Sequence, residues 1–456
     1  MRKTGGKFLG QGAAACVVSP PIKCINDSLT QGIGVGKLFY DKGAYESEVR
    51  EAEKIKNMDP NAEYTNPIKN SCEFLRLDIP KEDLIKCTVH DKVFNEESAL
   101  INKNKKQRNE ALQLHKEGDF NIWQFIKEHK IEDLKQFQIV YEHEGVDFEK
   151  YLETTEDSFE EVFGHLLQFA KGIAFFNSQH KYSHMDIKAP NLLITKEGKA
   201  LLIDFGLSKS TNEIYKTDFL LQNPYPYYPP EFRIFIHHQD ILNDYDSDNV
   251  DVMKGKVIGI YKKLPNIGNE FYKRMEKKYE ATVSQINNKF AKITDVKNLR
   301  NEYCKAFSNK VDVFSFGIVI LHTLHMLKTK FENNEKFTDI LQKCQIIGEA
   351  ASDIDPFTRT NIDNVVKELE KIIDPKKTLG GKSSLKDLKQ YLKDPTFTRI
   401  KLCNLVDKYK MQPKFKKLNK ELLSNAIAEH MILHKKNVPK TPVKTAPKTQ
   451  RQYKNT

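Results

Sequence analysis

The spacing of apolar and polar positions changes along the chain. Residues 7–18 place two short apolar runs on either side of small residues, which predicts a hairpin. Residues 33–40 read as a further short strand. Between 44 and 58, Val49, Ala52, Ile55 and Met58 recur at helical spacing among acids, and Asp59-Pro60 ends the run. Residues 61–133 are polar and show no clear period. Gln138 to Tyr141 reads as a strand running into Glu142-His143-Glu144-Gly145. Ser158 to Gln179 predicts a helix whose wide apolar face carries Phe159, Val162, Phe163, Leu166, Phe169, Ala170, Ile173 and Phe176. Leu192 to Ile194 and Ala200 to Ile203 read as paired strands around Glu197-Gly198. The first half is therefore strand-rich before it turns helical. The second half is mostly helical, with a charged stretch from about 268 to 310. After about residue 437 a low-complexity run of Pro, Lys, Thr and Val predicts disorder.

Composition narrows the class. Of 456 residues, 39% are hydrophobic and 30% charged, as expected of a globular protein with a polar surface. No apolar run reaches the roughly 18 residues that suggest a membrane span. The most apolar run, Phe314 to Leu327, is broken by His322 and His325. The N-terminus lacks the apolar core of a signal peptide, so the chain is expected in a cytoplasm and not secreted. Seven dispersed cysteines without a CxxC pair argue against a disulfide framework or a zinc ribbon and for a reducing compartment. The net charge of +11 is partly local. Lys435, Lys436, Lys440, Lys444, Lys448, Arg451 and Lys454 lie in a final stretch without acids. Such a tail is either a solvated segment or a contact for acidic proteins, nucleic acid or anionic lipid.

The strongest chemical signal is His184-Met185-Asp186-Ile187-Lys188-Ala189-Pro190-Asn191, followed by Asp204-Phe205-Gly206. Phosphoryl transfer needs a carboxylate to orient a hydroxyl and accept its proton. It also needs oxygen ligands for magnesium and cations beside the moving phosphoryl group. These residues and their spacing resemble the catalytic loop and magnesium-binding Asp-Phe-Gly of eukaryotic-type protein kinases. The resemblance implies an α+β, bilobal fold with a small β-rich lobe, a large helical lobe, and ATP and Mg2+ between them. It makes Asp186 the catalytic base, Lys188 the cation beside it, and Asn191 and Asp204 the metal ligands.

Upstream, Gly10-Gln11-Gly12 with Ala15 and Val17 resembles the glycine-rich loop over the ATP phosphates, with Ala15 in place of the third glycine. Lys37 resembles the strand lysine that binds α- and β-phosphates, and Val35 would face the adenine. Its helical partner is expected to be Glu51, with Glu48 the runner-up. Tyr141 would be the gatekeeper and Glu142 the first hinge residue.

Downstream, Tyr227-Tyr228-Pro229-Pro230-Glu231 resembles the end of the activation segment. Asp312-Val313-Phe314-Ser315-Phe316-Gly317 resembles the buried helix beneath the catalytic loop, and Asp355 to Arg359 the motif whose arginine pairs with Glu231. The kinase-like region is read as 1–375, with insertions at about 61–133 and 233–309. Met58-Asp59-Pro60 and the run from Val17 to Cys24 resemble divergent kinases of large DNA viruses, which would place the chain in a host-cell cytoplasm or a virion. Two departures stand out. Met185 replaces the arginine that usually precedes the catalytic aspartate, so activity is expected not to need activation-loop phosphorylation. Lys188 is typical of serine/threonine kinases, yet Pro224 stands where their bridging threonine usually lies, and no Ser or Thr occurs from Asp218 to Glu231. Protein substrates with serine or threonine acceptors are expected. A pseudokinase scaffold is the alternative.

Residues 384–434 read as a small helical appendage, and 435–456 as a disordered basic tail. Leu402 to Leu405 with Lys420 to Leu423 resembles a helix-extension-helix DNA-binding module, without the glycine before its second helix. Nucleic-acid contact and packing against the large lobe are the two readings of this region.

Overall fold

The computed structural model describes residues 7–11, 15–22, 24, 34–39, 42–74, 136–216, 225–243, 250–264, 267, 269–331 and 335–373. All lie in the first of two compact units, Met1–Ile373. Gly12, Thr217, Pro224, most of the stretch 61–133, the appendage at 384–434 and the basic tail at 435–456 fall outside the described residues.

The small lobe is one antiparallel sheet. β1 (Lys7–Gln11), β2 (Ala15–Ser19), β3 (Val35–Phe39), β4 (Ile68–Phe74) and β5 (Gln136–Tyr141) pair in the order β1-β2-β3-β5-β4. Register decides what shares a face. Lys37 lies opposite Val17 on one side and Ile139 on the other, and Val35 lies opposite Tyr141. Directly opposed residues point the same way, so Val17, Val35, Lys37, Ile139 and Tyr141 line one face. Further along that face, Ala15, Phe39, Phe137 and Ile139 form a small core beneath α1 (Lys42–Met58). The other face is closed by Pro21, Ile22 and Cys24. Buried Gln138 accepts from the Ile22 N–H at 3.1 Å and donates back to the Ile22 carbonyl.

Two findings depart from the expectations. β4 lies within the stretch that showed no period: Asn70 interrupts the alternation of Ile68, Cys72 and Phe74, and the strand gains its order from pairing with β5. Cys24 and Cys72 are joined as a disulfide, with Cα atoms 5.8 Å apart, although the dispersed cysteines argued against one. Sequence spacing could not show that residues 20–24 fold back over the sheet beside β4.

The large lobe begins with β6 (Gly145–Asp147) and α2 (Phe148–Thr154), which is capped by the Asp147 carboxylate on Lys150 N–H. α3 (Phe159–Ala174) starts from a capping box between Ser158 and Glu161 and continues into a π-helical turn, Phe175–Gln179. β7 (Tyr182–Ser183), β8 (Leu192–Thr195), β9 (Ala200–Leu202) and β10 (Lys209–Ser210) frame the loops that follow. The chain then forms α4 (Glu231–Leu242), α5 (Val250–Tyr261), α6 (Asn269–Phe290), α7 (Val296–Phe307), α8 (Val311–Phe331), α9 (Glu335–Ala351) and α10 (Ile362–Ile373).

Two apolar cores hold this lobe. One joins α3, α8, α9 and α10 through Phe163, Phe169, Phe316, Ile347 and Leu369. The other joins α4 to α7 with Met185 and Tyr215. The stretch Val296–Lys328 is long and apolar enough to cross a membrane, but 83% of its most apolar window is buried inside the fold, as a core helix is.

Candidate active site

β3 carries Lys37 into the space between the lobes, and α1 lies across it. The Lys37 ammonium bonds both carboxylate oxygens of Glu48 at 2.7 Å and the Asp204 Oδ1 at 3.2 Å. Burial pulls this ammonium down, but Asp204 and then Glu48 outweigh it and hold Lys37 above the usual lysine range. Lys37 in turn holds the Asp204 carboxyl below its ordinary range against the opposing effect of burial. Lys37 and Asp204 are therefore both charged near neutral pH.

Glu48, not the expected Glu51, is the partner of Lys37. Glu51 lies three residues further along α1. At about 1.5 Å and 100° per residue that carries it down the axis and to the neighbouring side of the helix. There it meets the large lobe, accepting a hydrogen bond from the Tyr182 hydroxyl, and it pairs with Lys54 at 3.2 Å. Glu48 has a second partner, the Tyr141 hydroxyl, at 2.6 Å. Burial, then Glu48, pushes this phenol up, so Tyr141 keeps the proton it donates. Two tyrosines, one from each lobe, thus hold successive acids of α1.

At the expected nucleotide end, Val17, Val35 and Tyr141 share the face of Lys37. Gly34 precedes β3 at φ +96°, and a Cβ there would overlap the Tyr141 carbonyl oxygen, so only glycine allows this approach. Glu142 follows, its N–H donating to the Pro67 carbonyl at 3.1 Å. Gly10 and Gln11 end β1, and Ala15 opens β2. Ala15 is 1% exposed and packs with Phe39 and Ile139, so a core side chain stands where the resemblance expected a glycine.

The catalytic-loop residues are fixed by backbone contacts. Asp312, fully buried on α8, accepts from the N–H groups of His184 at 2.7 Å and Met185 at 2.9 Å, and from Asn177 Nδ2 at 2.8 Å. These donors compensate its charge and hold Met185 at φ +67°. The His184 ring bonds the Ile203 carbonyl at 3.0 Å and lies 4.5 Å from the Phe205 ring. Asp186 Oδ2 accepts from Lys188 Nζ at 2.9 Å and Asn191 Nδ2 at 2.7 Å. The Ile203 N–H donates to the Asn191 carbonyl at 3.1 Å, which ties the residue before Asp204 to the loop.

Asn191 and Asp204 together fit a hard divalent cation. The Asn191 amide nitrogen is committed to Asp186, which turns its Oδ1 the other way. The Asp204 side chain remains 42% exposed with only one oxygen bonded to Lys37. Two oxygen donors with room for water suit magnesium. Among the described residues there is no group of three or more His, Cys, Asp or Glu that could hold a metal.

The activation segment is ordered at both described ends. β10 pairs with β7, and Tyr215 is fully buried against Phe232, Phe235 and Tyr303. Met185 packs into the same core. At the far end, Arg359 and Glu231, both 0% exposed, form a two-pronged pair at 2.6 and 2.9 Å, with the guanidinium 4.9 Å from the Phe314 ring centre. The sequence reading missed Tyr182 and Tyr225. Tyr182 gives no local signal. Tyr225 lies beside Pro224 in an aromatic run, and the Lys188 ammonium sits 5.4 Å from its ring centre.

Residues 78–243 match the family model for protein tyrosine and serine/threonine kinases. No curated protein matches the chain. The matched span contains Asp186, Lys188, Asn191, Asp204 and Glu231, while Lys37, Glu48, Asp312 and Arg359 lie outside it. With the bilobal α+β, kinase-like fold, this match supports a protein-kinase-type protein.

Proposed function

We propose that this chain is an active, magnesium-dependent protein kinase that transfers the γ-phosphoryl group of ATP to serine or threonine hydroxyls. The observation that carries the proposal is the Lys37 bridge between Glu48 and Asp204, which joins a strand, a helix and the loop beside Asn191. A scaffold that never handled nucleotide would gain little from holding a lysine and two carboxylates in an open cleft.

In this reading Val17 and Val35 pack against the adenine and Lys37 binds phosphate oxygens. Asp186 orients the acceptor hydroxyl. Its oxygen bonds to the γ-phosphorus, the bond to ADP breaks, and the hydroxyl proton passes to Asp186. Lys188, 2.9 Å from Asp186, steadies the negative charge that develops. Magnesium held by Asn191 and Asp204 would neutralise charge on the β- and γ-phosphates. Catalysis rests on positioning and electrostatics.

The apolar setting of Met185, packed with Ile214 and Tyr215, supports activity without activation-loop phosphorylation. Phosphatase treatment should leave the rate of purified protein unchanged. Serine/threonine preference rests on Lys188, and phosphotyrosine as the dominant product would overturn it. The deciding experiment is transfer from γ-labelled Mg-ATP to mixed protein substrates, beside Asp204→Ala and Lys37→Ala. Transfer by the parent and its loss in both variants is expected. A parent that binds ATP without transfer would establish the pseudokinase scaffold instead.

A further inference from the structure

Tyr141 is the last residue of β5, and its backbone is held from both sides. It lies opposite Val35 of β3 and Ile68 of β4. Its carbonyl oxygen is so close to Gly34 that a Cβ there would stand 2.1 Å away. The hydroxyl of this fixed residue donates to Glu48 Oε1 at 2.6 Å. The Lys37 ammonium, on the same face of the sheet, donates to Oε1 and to Oε2, each at 2.7 Å.

Two donors on neighbouring strands therefore meet one carboxylate carried by α1. They differ in what else they must do. Lys37 also bonds Asp204 Oδ1 at 3.2 Å. In the reading above it gives up that contact when Asp204 takes magnesium, and turns a proton to a phosphate oxygen. The Tyr141 phenol has one proton, and that proton is committed to Glu48. A carboxylate held by a single donor swings as that donor moves. A second donor that stays in place removes this freedom, and a hydrogen bond to a charged acceptor is strong enough to do so.

We propose that Tyr141 is a positioning residue for the phosphate end of the nucleotide: its hydroxyl keeps Glu48 in place while Lys37 turns from Asp204 to phosphate. This rests on the kinase reading above. It gives the hydroxyl a role apart from the bulk of the ring.

The test measures binding of Mg-ATP and of adenosine by calorimetry to the parent, Tyr141→Phe, Glu48→Ala and the double variant. Phenylalanine keeps the ring and removes only the hydroxyl. Adenosine offers the same base without phosphates, so it makes no demand on Lys37. In Tyr141→Phe the Kd for Mg-ATP should rise about 3- to 10-fold, and the Kd for adenosine by less than about twofold. In the Glu48→Ala background the same change should alter the Kd for Mg-ATP by less than about twofold, because the group it positions is gone. An unchanged Kd for Mg-ATP in Tyr141→Phe overturns the proposal. An equal loss for adenosine overturns it too, since the hydroxyl would then shape the adenine pocket. So does an equal loss in the Glu48→Ala background, since the hydroxyl would then act without Glu48. Phosphate transfer judges the kinase reading separately: a parent that binds Mg-ATP without transfer overturns that reading and leaves the binding comparison to decide this one. A parent that binds neither ligand overturns both.

Discussion

From Tyr182 to Asn191 the chain is held by polar contacts to a few named partners. From Val250 to Phe307 it is held by apolar packing spread over three helices. In the first region Asp312 fixes two successive backbone N–H groups, and Asp186 gathers Lys188 and Asn191. In the second, Met253, Val257, Tyr261, Phe271, Met275, Tyr279 and Ile286 share a core, and α6 reads as buried positions at helical spacing between solvated lysines and acids. The polar region tolerates almost no change of residue type, since each donor or acceptor has one geometry. The apolar region tolerates exchange at similar volume. The two meet at Met185 and Tyr215, which enter the core shared by α4 to α7.

This comparison can be broken. The largest expected effect is functional: under the proposed mechanism Asp186→Asn lowers kcat about 10²- to 10⁴-fold and leaves the thermal midpoint nearly unchanged. A small kcat change would detach the polar cluster from catalysis. Next is Arg359→Ala, which strands the Glu231 carboxylate in a fully buried site and should cost about 3–5 kcal/mol in urea unfolding. Met275→Ala on α6 removes a fully buried side chain from the core of α4 to α7 and should cost about 2–4 kcal/mol. If α4 to α7 unfold apart from the rest, that loss would appear as a separate early transition while ATP binding survives, and the two cores would be independent. The smallest effect concerns α1: Glu48→Gln should raise the KM for ATP about 5- to 20-fold, and Glu51→Gln much less, as expected for losing one charge-assisted contact of about 1.5 kcal/mol. Equal effects would show that the Tyr182 contact positions α1 as strongly as the lysine does.

What was legible follows the same division. The catalytic loop, Asp204, Glu231, Asp312 and Arg359 could be read because each is a fixed polar residue in a short local pattern. α3 and α1 could be read from apolar spacing. β4 could not, since its order comes from the β5 ladder and not from its own residues. The choice between Glu48 and Glu51 was equally closed, because both stand among several acids on a helix whose rotation is set by the lobes it touches. Tyr225 was missed because Pro224 occupied the expected position and the neighbouring residue meets Lys188 only once its turn is tied to Ser315 and Tyr261.

The sequence by itself determined the groups on offer: Asp186 with Lys188 beside it, Asn191, Asp204 and a strand lysine, carried by elements whose periods are visible along the chain. Only the tertiary structure decided which acid meets Lys37, which cysteines meet each other, and which tyrosine ring lies beside Lys188. Those outcomes depend on the orientation of one element against another, and that is fixed by packing summed over many weak contacts and not by any single residue's spacing.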